Sequence, residues 1–295
     1  MSYVLGRDET IESAILRIMQ EQIERARAHL TDEASSPAER VHDARRRIKE
    51  TRALLRMIRR PLGRHFAVEN RAFRDAAREL ASARDDAAVL ETLDTLAKVR
   101  KVSRLTARRA RKVLTSTHQE APGDLEARLA RVSAALGESL LRLDTWPHLA
   151  NSFGTIGEGL ARTYQDGRLT LARAVEIYDP SELHEWRKHV KDHWYHLQLL
   201  HPIWPSMMES SARALKELSR ILGEHHDLFV LRNLVAVRAG EIGGQRAVIR
   251  LLDSIDDRQR ELELAAATSG RRIYAEGAGR WLARIRKYWE LWQHE

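Results

Sequence analysis

The chain has no cysteine. That excludes a disulfide framework, a thiolate zinc site and a thiol nucleophile. It has no run of about 18 apolar residues, so no membrane-spanning helix is expected. The opening stretch MSYVLGRDETIESAILRIMQ lacks a basic segment followed by an apolar one. A secretory signal is therefore not expected, and the cytoplasm is the expected location. Aromatic residues make up only 6% of the chain, which leaves few platforms for stacking. Strand signals are nearly absent as well.

What the chain does have is charge and helical periodicity. Charged residues are 31% of the total and the net charge is +8. A surplus of that sign suits an anionic partner such as nucleic acid, a membrane surface or a phosphate polymer, without choosing among them. Ala, Leu, Arg and Glu dominate, and apolar residues recur at i, i+3, i+4 and i+7. The expected fold class is all-α, with segments of about 15–30 residues, a length typical of bundle helices. Breaks are expected near Ser35–Pro37, Pro61–Gly63, Pro122–Gly123, Trp146–Pro147, Asp179–Pro180, Pro202–Pro205, Gly240–Gly244 and Gly270. Two helix starts are well marked. SPAE offers Ser36 as N-cap, Pro37 at the first position and Glu39 at the third. DPSE offers Asp179, Pro180 and Glu182 in the same places.

Those two starts are related by a shift of 142 residues. VHDARRRIKETRALL (41–55) then lies on LHEWRKHVKDHWYHL (183–197), so that His42 meets His184, Arg45 meets Arg187 and Lys49 meets Lys191. The same shift lays RAFRDAARELASARD (71–85) on RALKELSRILGEHHD (213–227) without a gap. Arg71, Arg78 and Asp85 meet Arg213, Arg220 and Asp227, and Arg74 meets Lys216. Nine identities fall within positions 42–85, against about three or four expected from composition. The chain reads as two copies of one helical unit, 1–145 and 146–295.

At about 100° per residue, each copy separates an apolar side from a basic stripe. In the first, His42, Arg45, Lys49, Arg52 and Arg56 share a side. In the second, His184, Arg187, Lys191 and Gln198 do, with Lys188 and Tyr195 flanking. Each His stands near a helix N-terminus, where dipole and free N–H groups favour anions. The following helices carry stripes of their own, Arg71–Arg74–Arg78 and Arg213–Lys216–Arg220. These stripes read as almost purely positive, whereas an ordinary solvated face alternates sign to form i, i+4 pairs. Asp85 and Asp227 fall on the stripes and are expected to orient neighbouring cations. His193 points to the apolar side and is expected in the core, while His189 and His196 lie toward a flank.

Two other functions compete with a simple anion-binding face. Nucleic-acid binding is one, although single-strand readers interleave aromatics among their charges. Here Trp186 sits on an apolar face, and Trp281, Trp289 and Trp292 cluster where packing is expected. A metal-dependent phosphohydrolase is the other, hinted at by HD (42–43) and HHD (225–227). Converging carboxylates that would hold a divalent ion are lacking in the sequence, so no metal, cofactor or catalytic residue is assigned.

The pattern His-x-x-Arg-(Arg/Lys)-x-x-Lys, here HDARRRIK and HEWRKHVK, resembles the CHAD family, the conserved histidine α-helical domain. The ASARD and LGEHHD segments resemble it too, as does GLARTYQDGRLTLARA (159–174) with its Tyr and Gly-Arg. The resemblance covers about residues 10–290. The chain departs from it at Ala81, where the second copy has Gly223, and at Arg84-Asp85-Asp86, which leaves two registers, one residue apart, open for the acidic residue. The resemblance implies two helical bundles related by a pseudo-twofold around a basic central groove or pore. It implies inorganic polyphosphate as the ligand, with phosphate or sulfate able to occupy the same groove. It also implies a binding and targeting module rather than an enzyme, located in the cytoplasm at polyphosphate granules. Carried over by position, the ligand-facing residues are His42, Arg45, Arg46, Lys49 and Arg52 in the first copy. In the second they are His184, Arg187, Lys188, Lys191 and Tyr195. Arg71, Arg74, Arg78, Arg213, Lys216, Arg220 and His226 join from the following helices, and Tyr164 and Arg168 from the long helix.

Overall fold

The computed structural model describes residues 3–80, 82–99, 102–115 and 122–295, with the side chains of 82–88, 99, 122 and 123 outside the description. Among the described residues the chain is all-helical: thirteen α-helices joined by short turns and two single-turn 3₁₀ segments. The helices are α1 (Ile11–Thr31), α2 (Pro37–Met57), α3 (Arg59–Leu62), α4 (Arg64–Glu79), α5 (Ser82–Val99), α6 (Arg104–Thr115) and α7 (Pro122–Arg142). After them come α8 (Gly154–Ile177), α9 (Pro180–Leu199), α10 (Pro205–Val237), α11 (Ala239–Ile242), α12 (Gln245–Ile273) and α13 (Ala278–His294). None of the described helices is long and apolar enough to cross a membrane.

The marked starts are used as expected. Ser36 caps α2 in a full capping box with Glu39, and Pro37 opens the helix. Asp179 caps α9 by accepting from the backbone N–H groups of Ser181 and Glu182. Glu182 does not reach back to the cap; its carboxylate accepts from Arg173 Nε at 3.0 Å. Gly270 was expected to break a helix, yet α12 runs through it to Ile273. Its role is packing: a β-carbon there would come within 2.4 Å of the Trp186 ring.

α1 packs on α2 and α7, and α4 on α2 and α7, while α9 packs on α8 and α10, and α10 on α12. The two groups meet where α2 lies on α8 and α9. At Gly159 in α8 a β-carbon would sit 1.9 Å from the carbonyl oxygen of Met57 in α2, so the backbones touch there. One continuous apolar core runs from Leu5 through Ile48 and Trp186 to Trp292. The 142-residue shift lays the single helix α10 on the stretch shared by α4 and α5. The break between those two at Leu80 therefore falls opposite unbroken helix at Leu222–Gly223.

Candidate anion-binding site

The two His-headed helices, α2 and α9, meet through their C-terminal halves. Arg56 Nη1 contacts both carboxylate oxygens of Asp192, at 2.7 and 2.9 Å. His196 Nε2 donates to the Ala53 carbonyl at 2.8 Å. His196 is thus an interhelical residue, and Arg56, expected on the stripe, serves to tie α2 to α9. His193 is buried as expected, among the rings of Tyr164, Tyr274 and Trp281.

Arg52 lies one turn before Arg56. Burial, and then the nearby cations Arg56 and Arg74, push its guanidinium down to about 10, against the opposing pull of Asp192 and Asp75. Its nearest polar contact is weak, from Nε to Asn70 Oδ1 at 3.5 Å. A guanidinium in that position is stabilised by any incoming anion. Arg45, two turns earlier, sends Nη1 to the Leu80 carbonyl at 3.1 Å, the free end of α4. Lys49 is half-buried between them, and His42 is exposed at the head of the helix.

On α9 the corresponding side chains gather against α10. The His184 ring lies 4.2 Å from that of His226. Burial lowers the His184 pKa to about 4, helped by His226, Lys188 and Arg187 and opposed by Glu185. The ring is therefore neutral at neutral pH when no ligand is present. The Arg187 guanidinium rests on α10 at Gly223, where a β-carbon would lie 2.9 Å from Nη2 and 3.2 Å from Cζ. Arg187, Arg220, Gly223 and Asp227 border a cavity of about 330 Å³ together with Glu224 and Arg258. Arg258 comes from α12, beyond the repeated segments, and is paired with Glu224 at 2.6 Å and Glu261 at 3.1 Å. Lys191, on α9, is half-buried.

The outer stripe cations depart from the expectation of an almost purely positive face. Arg46 pairs with Asp43 at 3.6 Å, Arg74 with Asp75 at 3.0 Å, and Arg78 with Asp75 at 4.0 Å. Lys188 pairs with Glu185. Arg213 pairs with Glu209 at 3.0 Å, and Arg220 with Glu217 and Glu224 at 2.7 and 3.1 Å. These carboxylates sit one to four residues from their cations, off the stripe, and swing over it. Exposed pairs of this kind contribute little to stability, about 0–1 kcal/mol, so a multivalent anion can exchange them readily. Arg71 and Lys216 are exposed and lack an ion pair among the described residues.

Two expected ligand contacts are corrected by burial. Tyr164 is 1% exposed. Its hydroxyl donates to the carbonyls of Ile273 and Glu276 at 3.2 and 3.0 Å, and its ring stacks on Trp281 at 4.7 Å. It is a core residue of the α8–α13 region. Tyr195 is 3% exposed, packed against Tyr3 and Trp194, so it underlies the stripe instead of standing on it. Arg168 is exposed on α8 and is joined to none of the stripe residues among those described. Asp85 lies in α5 outside the described side chains. The HHD stretch divides: His226 faces His184, while buried His225 sits 3.0 Å from Glu263. Among the described residues no group of three or more His, Asp or Glu is placed to hold a metal ion.

Paired His-headed basic helices, packed together in an all-helical frame, define the class of protein. The chain belongs to the CHAD-domain family, whose model matches residues 17–236. A search of curated proteins gives no match.

Proposed function

We propose that the protein binds inorganic polyphosphate in a basic groove between two pseudo-twofold-related bundles, lined by the α2 and α9 stripes and their partners on α4 and α10. The observation that carries this reading is Arg52, desolvated among Arg56 and Arg74 with no carboxylate bonded to it among the described residues. An extended polyanion would relieve that arrangement, and the neutral His184 beside Arg187 and Lys188 would gain a proton and a donor when it arrived. Arg grips phosphate through paired N–H groups and Lys adds a mobile charge. The ligand has no bases to read. Consistent with this, Trp186, Trp281, Trp289 and Trp292 are all buried, away from any stacking role. The protein's task on this reading is binding and targeting, without chemistry of its own, in the cytoplasm at polyphosphate granules.

Calorimetric titration with long-chain polyphosphate, single-stranded DNA and duplex DNA at several salt concentrations tests the reading. Polyphosphate should bind tightest, and its affinity should fall steeply with salt. Equal affinity for all three polymers would refute polyphosphate specificity and favour a general nucleic-acid-type polyanion binder.

A further inference from the structure

A second cationic surface lies outside the stripes. Helix α6, RLTARRARKVLT, carries five cations in twelve residues and no acid. Thr106, Ala110 and Leu114 are buried, where the helix packs on α5, α11 and α12. Arg104, Arg108, Arg109, Arg111 and Lys112 are all exposed. Arg111 is tied to Asp94 at 2.5 Å. The other four have no ion pair among the described residues, in contrast to the neutralised cations of the outer stripes. Arg108, Arg111, Lys112 and Thr115 border an open depression. Arg109 Nη1 reaches to 3.9 Å from the β-position of Gly244, just ahead of α12. The first turn of α12 has no acid, and Arg246 and Arg250 stand exposed on its opening turns.

Cations at i, i+4 spacing, as at Arg104, Arg108 and Lys112, repel one another when nothing neutralises them. A helix that keeps such a face bare is stabilised by an anionic partner. The face presents no aromatic side chain, and Leu105 is its one exposed large apolar residue. It suits a chain of phosphates better than a strand of stacking bases.

We propose that the α6 face is a second docking surface for the same polyphosphate chain, so that long chains engage the stripes and α6 together. This rests on the polyphosphate reading and adds to it a cause of chain-length preference. Once one part of a long chain is held on the stripes, the rest is presented to α6 at high effective concentration, and two modest sites give high avidity. A short chain occupies one site at a time and gains nothing from the other.

The test compares affinity for tripolyphosphate and for long-chain polyphosphate in the wild-type protein and in the double variant Arg108→Glu with Lys112→Glu. Binding is read by calorimetry and helicity by circular dichroism. The ratio of long-chain to short-chain affinity should fall at least tenfold in the variant. The log–log salt slope for the long chain should also become shallower, by about one to two. A ratio within twofold of wild type overturns the second surface and leaves the polyphosphate reading standing. A wild-type protein that binds neither chain defeats that reading itself. A variant that loses single-stranded DNA while keeping its long-chain ratio overturns the proposal and makes the surface a nucleic-acid contact. Should the charge reversal cost helicity, the milder pair Arg104→Gln with Arg108→Gln replaces it. The ratio should then fall at least threefold, and a smaller fall overturns the second surface.

Discussion

Replacing Gly223 by alanine should separate stability from binding. Gly223 is buried inside α10, and the three atoms nearest its β-position all belong to Arg187: Nη2 at 2.9 Å, Cζ at 3.2 Å and Nε at 3.4 Å. Ordinary contact begins at about 3.4 Å, so the guanidinium must withdraw by roughly 0.5 Å and tilt away from α10. The obstacle is the mobile end of a side chain, which makes the withdrawal cheap. The helix itself gains, because Ala is favoured over Gly in a helix interior by about 1 kcal/mol. The melting temperature of Gly223→Ala should therefore equal the wild-type value or exceed it by about 2 °C. A charge-assisted hydrogen bond contributes about 1.5–3 kcal/mol. Losing part of one at Arg187 should cost about 1 kcal/mol of affinity, or roughly fivefold. Differential scanning calorimetry reads the first quantity and titration with polyphosphate the second. If the variant melts several degrees lower while binding as tightly as before, the place of Arg187 on Gly223 serves packing and not the ligand, and the reasoning fails.

Three further outcomes are expected. Arg56→Ala leaves Asp192 with a side chain only 10% exposed and without its partner. It should cost about 3 kcal/mol in chemical denaturation, and Asp192→Asn in the same chain should recover much of it. Acid should destabilise the protein below about pH 6.5. His193, held at about 3 by burial, and His196, lowered by the same cause, resist protonation in the fold. The unfolded chain then binds more protons, so the stability present above pH 6.5 is lost progressively as pH falls toward 3. His193 alone contributes up to about 4 kcal/mol over that window, and His193→Leu should flatten the pH dependence of unfolding. Polyphosphate binding should take up protons: burial, helped by His226, Lys188 and Arg187 and opposed by Glu185, holds His184 at about 4 in the free protein, and phosphate raises it. Affinity should grow as pH falls from 7 toward 5, less so in His184→Gln, and titration in buffers of differing ionisation enthalpy reads the proton count.

Local signals carried much of the fold. The caps at Ser36 and Asp179 were legible because a cap is built from neighbours in the sequence. The core place of His193 followed from its angle on the wheel. The carboxylates that cover the outer stripes are not legible on a wheel, which sorts residues by where they start and not by where their side chains end. Asp75 and Glu217 start off the stripe and fold over it. The misplacement of Tyr164 has a different origin. Its hydroxyl is satisfied by carbonyls more than a hundred residues away, and nothing in its own helix announces that. Neither the repeat nor the wheel marks Arg258, because α12 lies outside the repeated segments. The register between Gly223 and Ala81 was visible, but its meaning required the Arg187 guanidinium above it.

The first residues of the chain are joined to later ones. The Leu5 amide donates to the Leu199 carbonyl at 3.0 Å, Tyr3 to the Glu50 carbonyl at 2.8 Å, and the Ile11 amide to Asn151 Oδ1 at 3.0 Å. On a ribosome, Leu5 emerges long before Leu199 exists. At synthesis rates of about 5–20 residues per second, it waits roughly 10–40 s for its partner. The earlier helices can form and pair in that interval, with Glu50 already there for Tyr3, but the Leu5 amide lacks its acceptor until α9 has left the exit tunnel. Closure of the Leu5–Leu199 link is therefore a late event in the birth of the molecule, and a nascent chain halted before α9 should be cut by protease near Leu5 more readily than the finished protein.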